Sequence, residues 1–157
     1  MKHKIALYGA GNVGATTAQW LAQKELGDIV LFDINESLAE GKALDLMQAG
    51  PAAGFDCSIL GSDNPDIIAD ADIVVVSAGV PRRKNPQTGK YPGRDELIKI
   101  NQAVIEQASA HIKNLAPDAI VIMVTNPIEA MCHVVKQITG FPSERIIGQA
   151  GALDTTR

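Results

Sequence analysis

Lys4-Ile5-Ala6-Leu7-Tyr8-Gly9-Ala10-Gly11-Asn12-Val13-Gly14-Ala15 is the stretch on which the fold turns. An apolar run enters Gly9-x-Gly11-x-x-Gly14, and a helical spacing follows through Thr16, Ala18, Trp20 and Leu21. Strand, glycine turn and helix in that order form the context that a dinucleotide-binding fingerprint requires. Gly9 permits the tight turn, Gly11 lets the backbone approach a pyrophosphate, and Gly14 lets the helix lie close on the strand. The helix starting near Asn12 then turns free N–H groups and the positive end of its dipole toward phosphates. Ala10 and Val13 complete the turn. A second element stands at the right distance. Ile29-Val30-Leu31-Phe32-Asp33 is a buried-type strand ending in an acid nineteen residues past Gly14. A carboxylate there accepts both ribose hydroxyls of an adenosine and repels a 2′-phosphate, so the expected cofactor is NAD rather than NADP.

Working outward, strand and helix periodicities alternate. The expected strands are Ile5–Tyr8, Ile29–Asp33, a third around Asp56–Leu60, Ile73–Val76, Ile120–Val124 and Arg145–Gly148. Between them run helical patterns at Asn12–Lys24, Glu36–Ala49, about Asp95–Asn114 and about Ile128–Ile138, with a short helical turn over Asp63–Asp70 and a further helix from Ala152. Gly50-Pro51 is read as the stop of the second helix. The β-branched run Ile73-Val74-Val75-Val76 suits a central parallel strand covered on both faces. Alternation of this kind predicts an α/β domain, a doubly wound parallel sheet or Rossmann fold of six strands. Right-handed crossovers give the strand order 3-2-1-4-5-6. One domain over 1–157 is expected, without repeats or low-complexity tracts. Val80–Gly93, rich in proline and polar side chains, breaks the rhythm and predicts a long, mobile loop of functional use.

Composition narrows the function. The formal charge is −4 over 157 residues with acids and bases interspersed, which argues against nucleic acid or an anionic membrane surface as partner. No apolar run is long enough to span a bilayer, and Met1-Lys2-His3-Lys4 leads directly into the first strand without a secretory leader. Cys57 and Cys132 lack metal-ligand or redox spacing and read as reduced thiols of a cytoplasmic protein. No metal site is expected.

Six collinear stretches carry a specific resemblance. They are Gly9–Gly14, Gly41-Lys42-Ala43-Leu44-Asp45-Leu46, Ser77-Ala78-Gly79-Val80-Pro81-Arg82, Arg94-Asp95-Glu96-Leu97, Val124-Thr125-Asn126-Pro127 and Gly148-Gln149-Ala150-Gly151-Ala152-Leu153-Asp154. In these the chain resembles the amino-terminal half of the lactate/malate dehydrogenase superfamily, and within it the lactate-dehydrogenase-like malate dehydrogenases. The resemblance implies NAD-linked hydride transfer between L-malate and oxaloacetate. Such a dicarboxylate needs cations for its carboxylates and a donor for its carbonyl, tasks that the planar fork of arginine suits. The resemblance implies Arg157 for the carboxylate beside the reacting carbon, Arg94 for the carbonyl, and Arg82 for the distal carboxylate. It also implies Asn126 as a substrate contact bordering the nicotinamide site, with Asn101 and Val124, Thr125 and Asn126 as cofactor contacts. Singly, Arg82 and Arg83 read equally well as solvated loop charges and Asn126-Pro127 as a helix-entry turn. Their shared order argues for a site. The Glu36–Ala49 helix resembles the family's subunit-contact helix and implies a homo-oligomer.

Two departures shape the expectation. The segment between Arg82-Arg83 and Arg94 is longer than in relatives, which leaves open whether Arg82, Arg83, Lys84 or Lys90 meets substrate. The family also uses a histidine as proton donor and acceptor, oriented by an aspartate that matches Asp154, and that histidine lies further downstream. His3, His111 and His133 fall in the wrong elements to replace it. The expectation is therefore a cofactor-binding half that does not turn over substrate alone. The alternatives are a lactate or other 2-hydroxyacid dehydrogenase domain, and a non-catalytic NAD-binding module such as a redox sensor.

Overall fold

A computed structural model describes residues 2–81, 84, 89, 91 and 93–151. Six strands form one parallel sheet: β1 Lys4–Tyr8, β2 Asp28–Phe32, β3 Ile59–Ser62, β4 Ile73–Val76, β5 Ile120–Met123 and β6 Ile146–Gly148. Four helices connect them: α1 Asn12–Gln23, α2 Glu36–Ala53, α3 Arg94–Leu115 and α4 Ile128–Thr139. A 3₁₀ turn at Pro65–Ile68 precedes β4, and another at Ser143–Arg145 precedes β6. The strand order is β3-β2-β1-β4-β5-β6, as the alternating pattern predicted.

Strand alternation divides the core into two layers. Ile5, Leu7, Ile29, Leu31, Ile59 and Val75 pack with Ala18 and Ala22 of α1 and Ala39 and Ala43 of α2. Ala6, Tyr8, Val30, Phe32, Val74, Val76, Val121 and Met123 face Ile105, Ala108 and Ile112 of α3 and Met131 and Val135 of α4. Successive side chains of a strand point to opposite faces, so runs such as Ile-Val-Val-Val feed both layers at once. Each fully buried aliphatic side chain adds roughly 1.5–3 kcal/mol of transfer free energy.

Two sequence expectations are corrected. Gly50-Pro51 does not stop α2, which continues to Ala53 and ends on Gly54 in the left-handed conformation (φ 79°). Proline disfavours helix in the preceding residue through its Cδ and that residue's Cβ. Gly50 has no Cβ, and it is buried with the Phe55 carbonyl and ring against it. The third strand is displaced from Asp56–Leu60 to Ile59–Ser62. Its register follows β2, with Ile29 opposite Ile59 and Phe32 opposite Ser62. Gly61 lies against the Ala39 carbonyl of α2, where a side chain would not fit. Among the described residues no helix is long and apolar enough to cross a membrane. The expected helix from Ala152 and most of the Val80–Gly93 loop lie outside the described residues.

Candidate functional site

The chain leaves β1 toward β2 and β3, then returns to β4 on the other side of β1. Connections from the carboxyl ends of β1 and β4 therefore diverge, which opens a crevice where ligands of such sheets bind. Gly9 turns at the crest of β1 with φ 112°, and its N–H donates to the Phe32 carbonyl at 2.8 Å. A Cβ on Gly9 would stand 2.6 Å from the Ala78 nitrogen. At Gly14 a Cβ would run into the Gly9 carbonyl and come within 2.9 Å of the Ser77 hydroxyl oxygen. Gly11 is different: nothing lies within 4 Å of the place a Cβ would take. Its backbone is ordinary (φ −63°, ψ −174°). What the missing side chain supplies there is space.

That space faces the start of α1. The helix has no side-chain cap and no acidic residue in its first turn, so the leading N–H groups and the dipole stay unneutralised. The start of α2 is closed by contrast: the Asn35 side chain accepts from the Leu38 N–H at 3.2 Å, and Glu36 occupies the first turn. Of these two helix starts, that of α1 is the one left open to an anion.

Asp33 follows β2 and leans over the turn. One carboxylate oxygen accepts from the Ala10 N–H at 2.8 Å and the other from the Asn35 N–H at 3.1 Å. Two backbone donors thus fix a half-buried carboxylate whose remaining lone pairs are available to hydroxyl donors. Beside it opens a cavity of about 270 Å³ between Phe32, Asp33 and Ile34 on one side, Gly79 and Val80 on the other, and Val104 and Gln107 of α3. A clear glycine turn, an uncapped helix start, a fixed acid and an apolar slot together fit a dinucleotide. A larger cavity of about 450 Å³, lined by His3, Asp70, Asp72 and Asp118 among others, lies at the opposite end of the sheet, where β1, β4 and β5 begin.

The other flank of the crevice is tied by side chains. Asn101, almost fully buried, accepts from the Val80 N–H at 2.8 Å and donates to the Asn126 carbonyl at 2.8 Å. The Thr125 hydroxyl donates to the Ala78 carbonyl at 2.7 Å. Val124, half-buried, donates its N–H to the Val76 carbonyl at 2.9 Å. Asn126 is exposed at the crest of β5 and is joined to Pro127 by a cis peptide bond. The structure thus gathers Gly9–Gly14, Asp33, Asn101 and Val124–Asn126 at one end of the sheet. Arg82, Asp154, Arg157 and the side chain of Arg94 lie outside the described residues.

Three features at this crest escape a motif reading. The Ser77 hydroxyl donates to the Gly9 carbonyl at 3.1 Å and links the two flanks. Gly79 passes so close to Thr125 that a Cβ would stand 2.6 Å from its methyl group. Under the slot, the Tyr8 hydroxyl lies 2.8 Å from Nδ1 of His111, and the Tyr8 ring packs on Phe32 with centroids 4.5 Å apart. Burial pushes the Tyr8 phenol up to about 12. The Ser77-Ala78-Gly79 run carried a signal for the first two; nothing local marks Tyr8 and His111 as partners. His133 is exposed on α4, and His3 sits 3.4 Å from Asp72 at the far end of the sheet. No histidine lines the slot.

The family described as lactate/malate dehydrogenase, NAD binding domain, matches residues 3–148. The chain belongs to this family. Its cofactor is NAD. A malate dehydrogenase of Thermomicrobium roseum is 46% identical over 159 residues, which cover 100% of this chain and 49% of that protein. Among solved structures, malate dehydrogenase from Plasmodium falciparum superposes with a TM-score of 0.90 at 36% identity, over 99% of this chain and 47% of that one. The lactate dehydrogenase of Cryptosporidium parvum, complexed with lactic acid and nicotinamide adenine dinucleotide, gives 0.89 at 32% identity, over 98% and 47%. The chain spans about half the length of the curated relatives it matches.

Proposed function

We propose that this chain is the cofactor half of an NAD-dependent malate dehydrogenase, which interconverts L-malate and oxaloacetate. The observation that carries the reading is the Asp33 carboxylate, fixed by the Ala10 N–H over a turn left open at Gly11. The T. roseum relative, at 46% identity, favours malate over lactate as the substrate, against 32% for the C. parvum lactate dehydrogenase. Bound NAD supplies the hydride acceptor and, when reduced, the donor.

The roles of the chain's own residues follow from their chemistry. Gly11 and the start of α1 receive the pyrophosphate, and Asp33 accepts the ribose hydroxyls. Asn101 and Thr125 hold the β4 and β5 crests at a fixed spacing, and Asn126 borders the nicotinamide end. We assign Arg82 to the distal carboxylate, Arg157 to the carboxylate next to the reacting carbon, and Arg94 to the carbonyl oxygen as charge develops there. Asp154 orients the histidine that the family uses as proton donor and acceptor. The exposed apolar side chains Leu44 and Met47 on α2, with Trp20 on α1, support a homo-oligomer formed through this face. The unpaired cysteines, held as neutral thiols by burial, support a reducing, cytoplasmic setting.

Calorimetry tests the cofactor site. Asp33→Ala is expected to weaken NAD binding by about 1–3 kcal/mol, the range for hydrogen bonds to a charged group, and to narrow the preference over NADP. Equal affinity of the parent chain for both dinucleotides would overturn the role of Asp33. For the reaction, NADH oxidation is followed with oxaloacetate and with pyruvate, before and after adding the carboxyl-terminal half of a homologous malate dehydrogenase. Oxaloacetate turnover that depends on the added half is expected. A preference for pyruvate would move the assignment to lactate.

A further inference from the structure

We propose that Gln107 reads the adenine base of the dinucleotide through its carboxamide and so makes the slot selective for that base. The proposal rests on the cofactor assignment above and goes beyond it, because neither the glycine turn nor Asp33 touches the base.

Apolar groups provide most of the slot's lining, including Phe32, Ile34, Val80 and Val104. Such walls hold any flat ring and discriminate little between bases. Selectivity needs an unspent polar group. The Tyr8 hydroxyl is engaged by His111 Nδ1, and the Ser77 hydroxyl by the Gly9 carbonyl. The Val80 N–H is engaged by Asn101. Asp33 is held by Ala10 and Asn35 at the ribose position. Gln107 remains. It lies one turn after Val104 on α3, lines the slot and has no hydrogen-bond partner among the described residues. Its neighbour Glu106 is engaged by Gln102 at 2.7 Å.

A carboxamide offers an acceptor beside two donors. Adenine presents the complement, an amino donor adjacent to a ring-nitrogen acceptor, and glutamine meets that pair with two parallel hydrogen bonds. An exposed carboxamide that becomes covered by a base also loses little on burial, since each of its polar atoms is satisfied at once.

The test is calorimetric binding of NAD and of its 1,N6-ethenoadenine analogue to the full chain. The etheno bridge removes the amino donor, which every paired edge of the base uses, and blocks N1 while keeping ribose and phosphates. The parent chain is expected to bind NAD about 3- to 10-fold more tightly than the analogue, as for one or two neutral hydrogen bonds. Gln107→Met keeps the length and volume of the side chain. It is expected to cut that preference below about twofold by weakening NAD alone, with the analogue bound as before. Equal weakening of both ligands would reduce Gln107 to a packing contact and overturn the proposal, as would an unchanged preference. If the parent chain bound neither dinucleotide, the cofactor assignment itself would fall and the proposal with it.

Discussion

The two flanks of the crevice are built by opposite means. On the β1–β2 flank the structure depends on clearance: Gly9 and Gly14 omit side chains that would strike backbone, and Gly11 leaves space for a ligand. On the β4–β5 flank it depends on ties. Asn101 and Thr125 spend buried polar side chains on backbone groups of neighbouring crests, with Thr125 reaching a residue 47 positions away. Clearance is a local property of a few residues. A tie exists only once the sheet has brought its two ends together.

The sharpest way to break this comparison is to fill the clearances separately. Gly14→Ala places a methyl group against the Gly9 carbonyl and the Ser77 hydroxyl, between two elements that are both fixed. The expected cost is about 3 kcal/mol, well above the roughly 1 kcal/mol that alanine gains over glycine inside a helix. Gly11→Ala meets nothing, so its unfolding free energy is expected to stay within about 0.5 kcal/mol of the parent. It fills the phosphate space, however, and is expected to weaken NAD binding about tenfold or more. Urea titrations and calorimetry of both variants read the two effects. Equal destabilisation would mean that the glycines do not divide between packing and ligand.

The ties are tested next. Asn101→Ala leaves the Val80 N–H and the Asn126 carbonyl without their partner, at an expected cost of about 2–3 kcal/mol in urea unfolding. AMP meets Asp33 on the clearance flank and the Val80 wall that Asn101 braces, whereas NAD reaches the β5 crest as well. Both ligands are therefore expected to weaken in the variant, NAD more than AMP, as the spacing of the β4 and β5 crests relaxes. A variant that kept the parent's affinity for both would show that the tie serves stability alone.

The same division explains what the sequence disclosed. Gly9, Gly11, Gly14 and Asp33 were legible because clearance and a strand-ending acid leave a fixed spacing in the chain. The strand order was legible because β-branched runs alternated with helical periods. Ser77 linking to Gly9 was not, because a hydroxyl reaching a carbonyl 68 positions away leaves no periodic trace. Asn101 was placed in the site by resemblance, but its work as a brace between Val80 and Asn126 depends on where β4 and β5 end. Pro51 misled for a local reason: part of the clash that ends a helix before a proline is with the Cβ of the preceding residue, and Gly50 has none.

The smallest expected effect probes a tie beneath the clearance flank, between Tyr8 and His111. The folded chain holds the Tyr8 phenol at about 12 against an ordinary value of 10.0, through burial. Below pH 10 the phenol is protonated whether the chain is folded or not, and its contribution to stability is intact. As pH rises from 10 toward 12, the unfolded chain releases this proton while the folded chain retains it. The unfolded state then binds fewer protons, so stability falls with pH across that window and loses nothing further from this group above it. Tyr8→Phe removes the titration along with the hydrogen bond to His111. At about pH 8 the variant is expected to be less stable than the parent by roughly 1 kcal/mol, the usual net value of one hydrogen bond. Toward pH 12 that gap is expected to close and then reverse, because only the parent carries a phenol whose ionisation favours the unfolded chain. Urea unfolding of both chains across this range reads the difference directly and cancels the lysines they share. A gap that stayed constant with pH would show that the Tyr8 phenol ionises as freely in the folded chain as in the unfolded one.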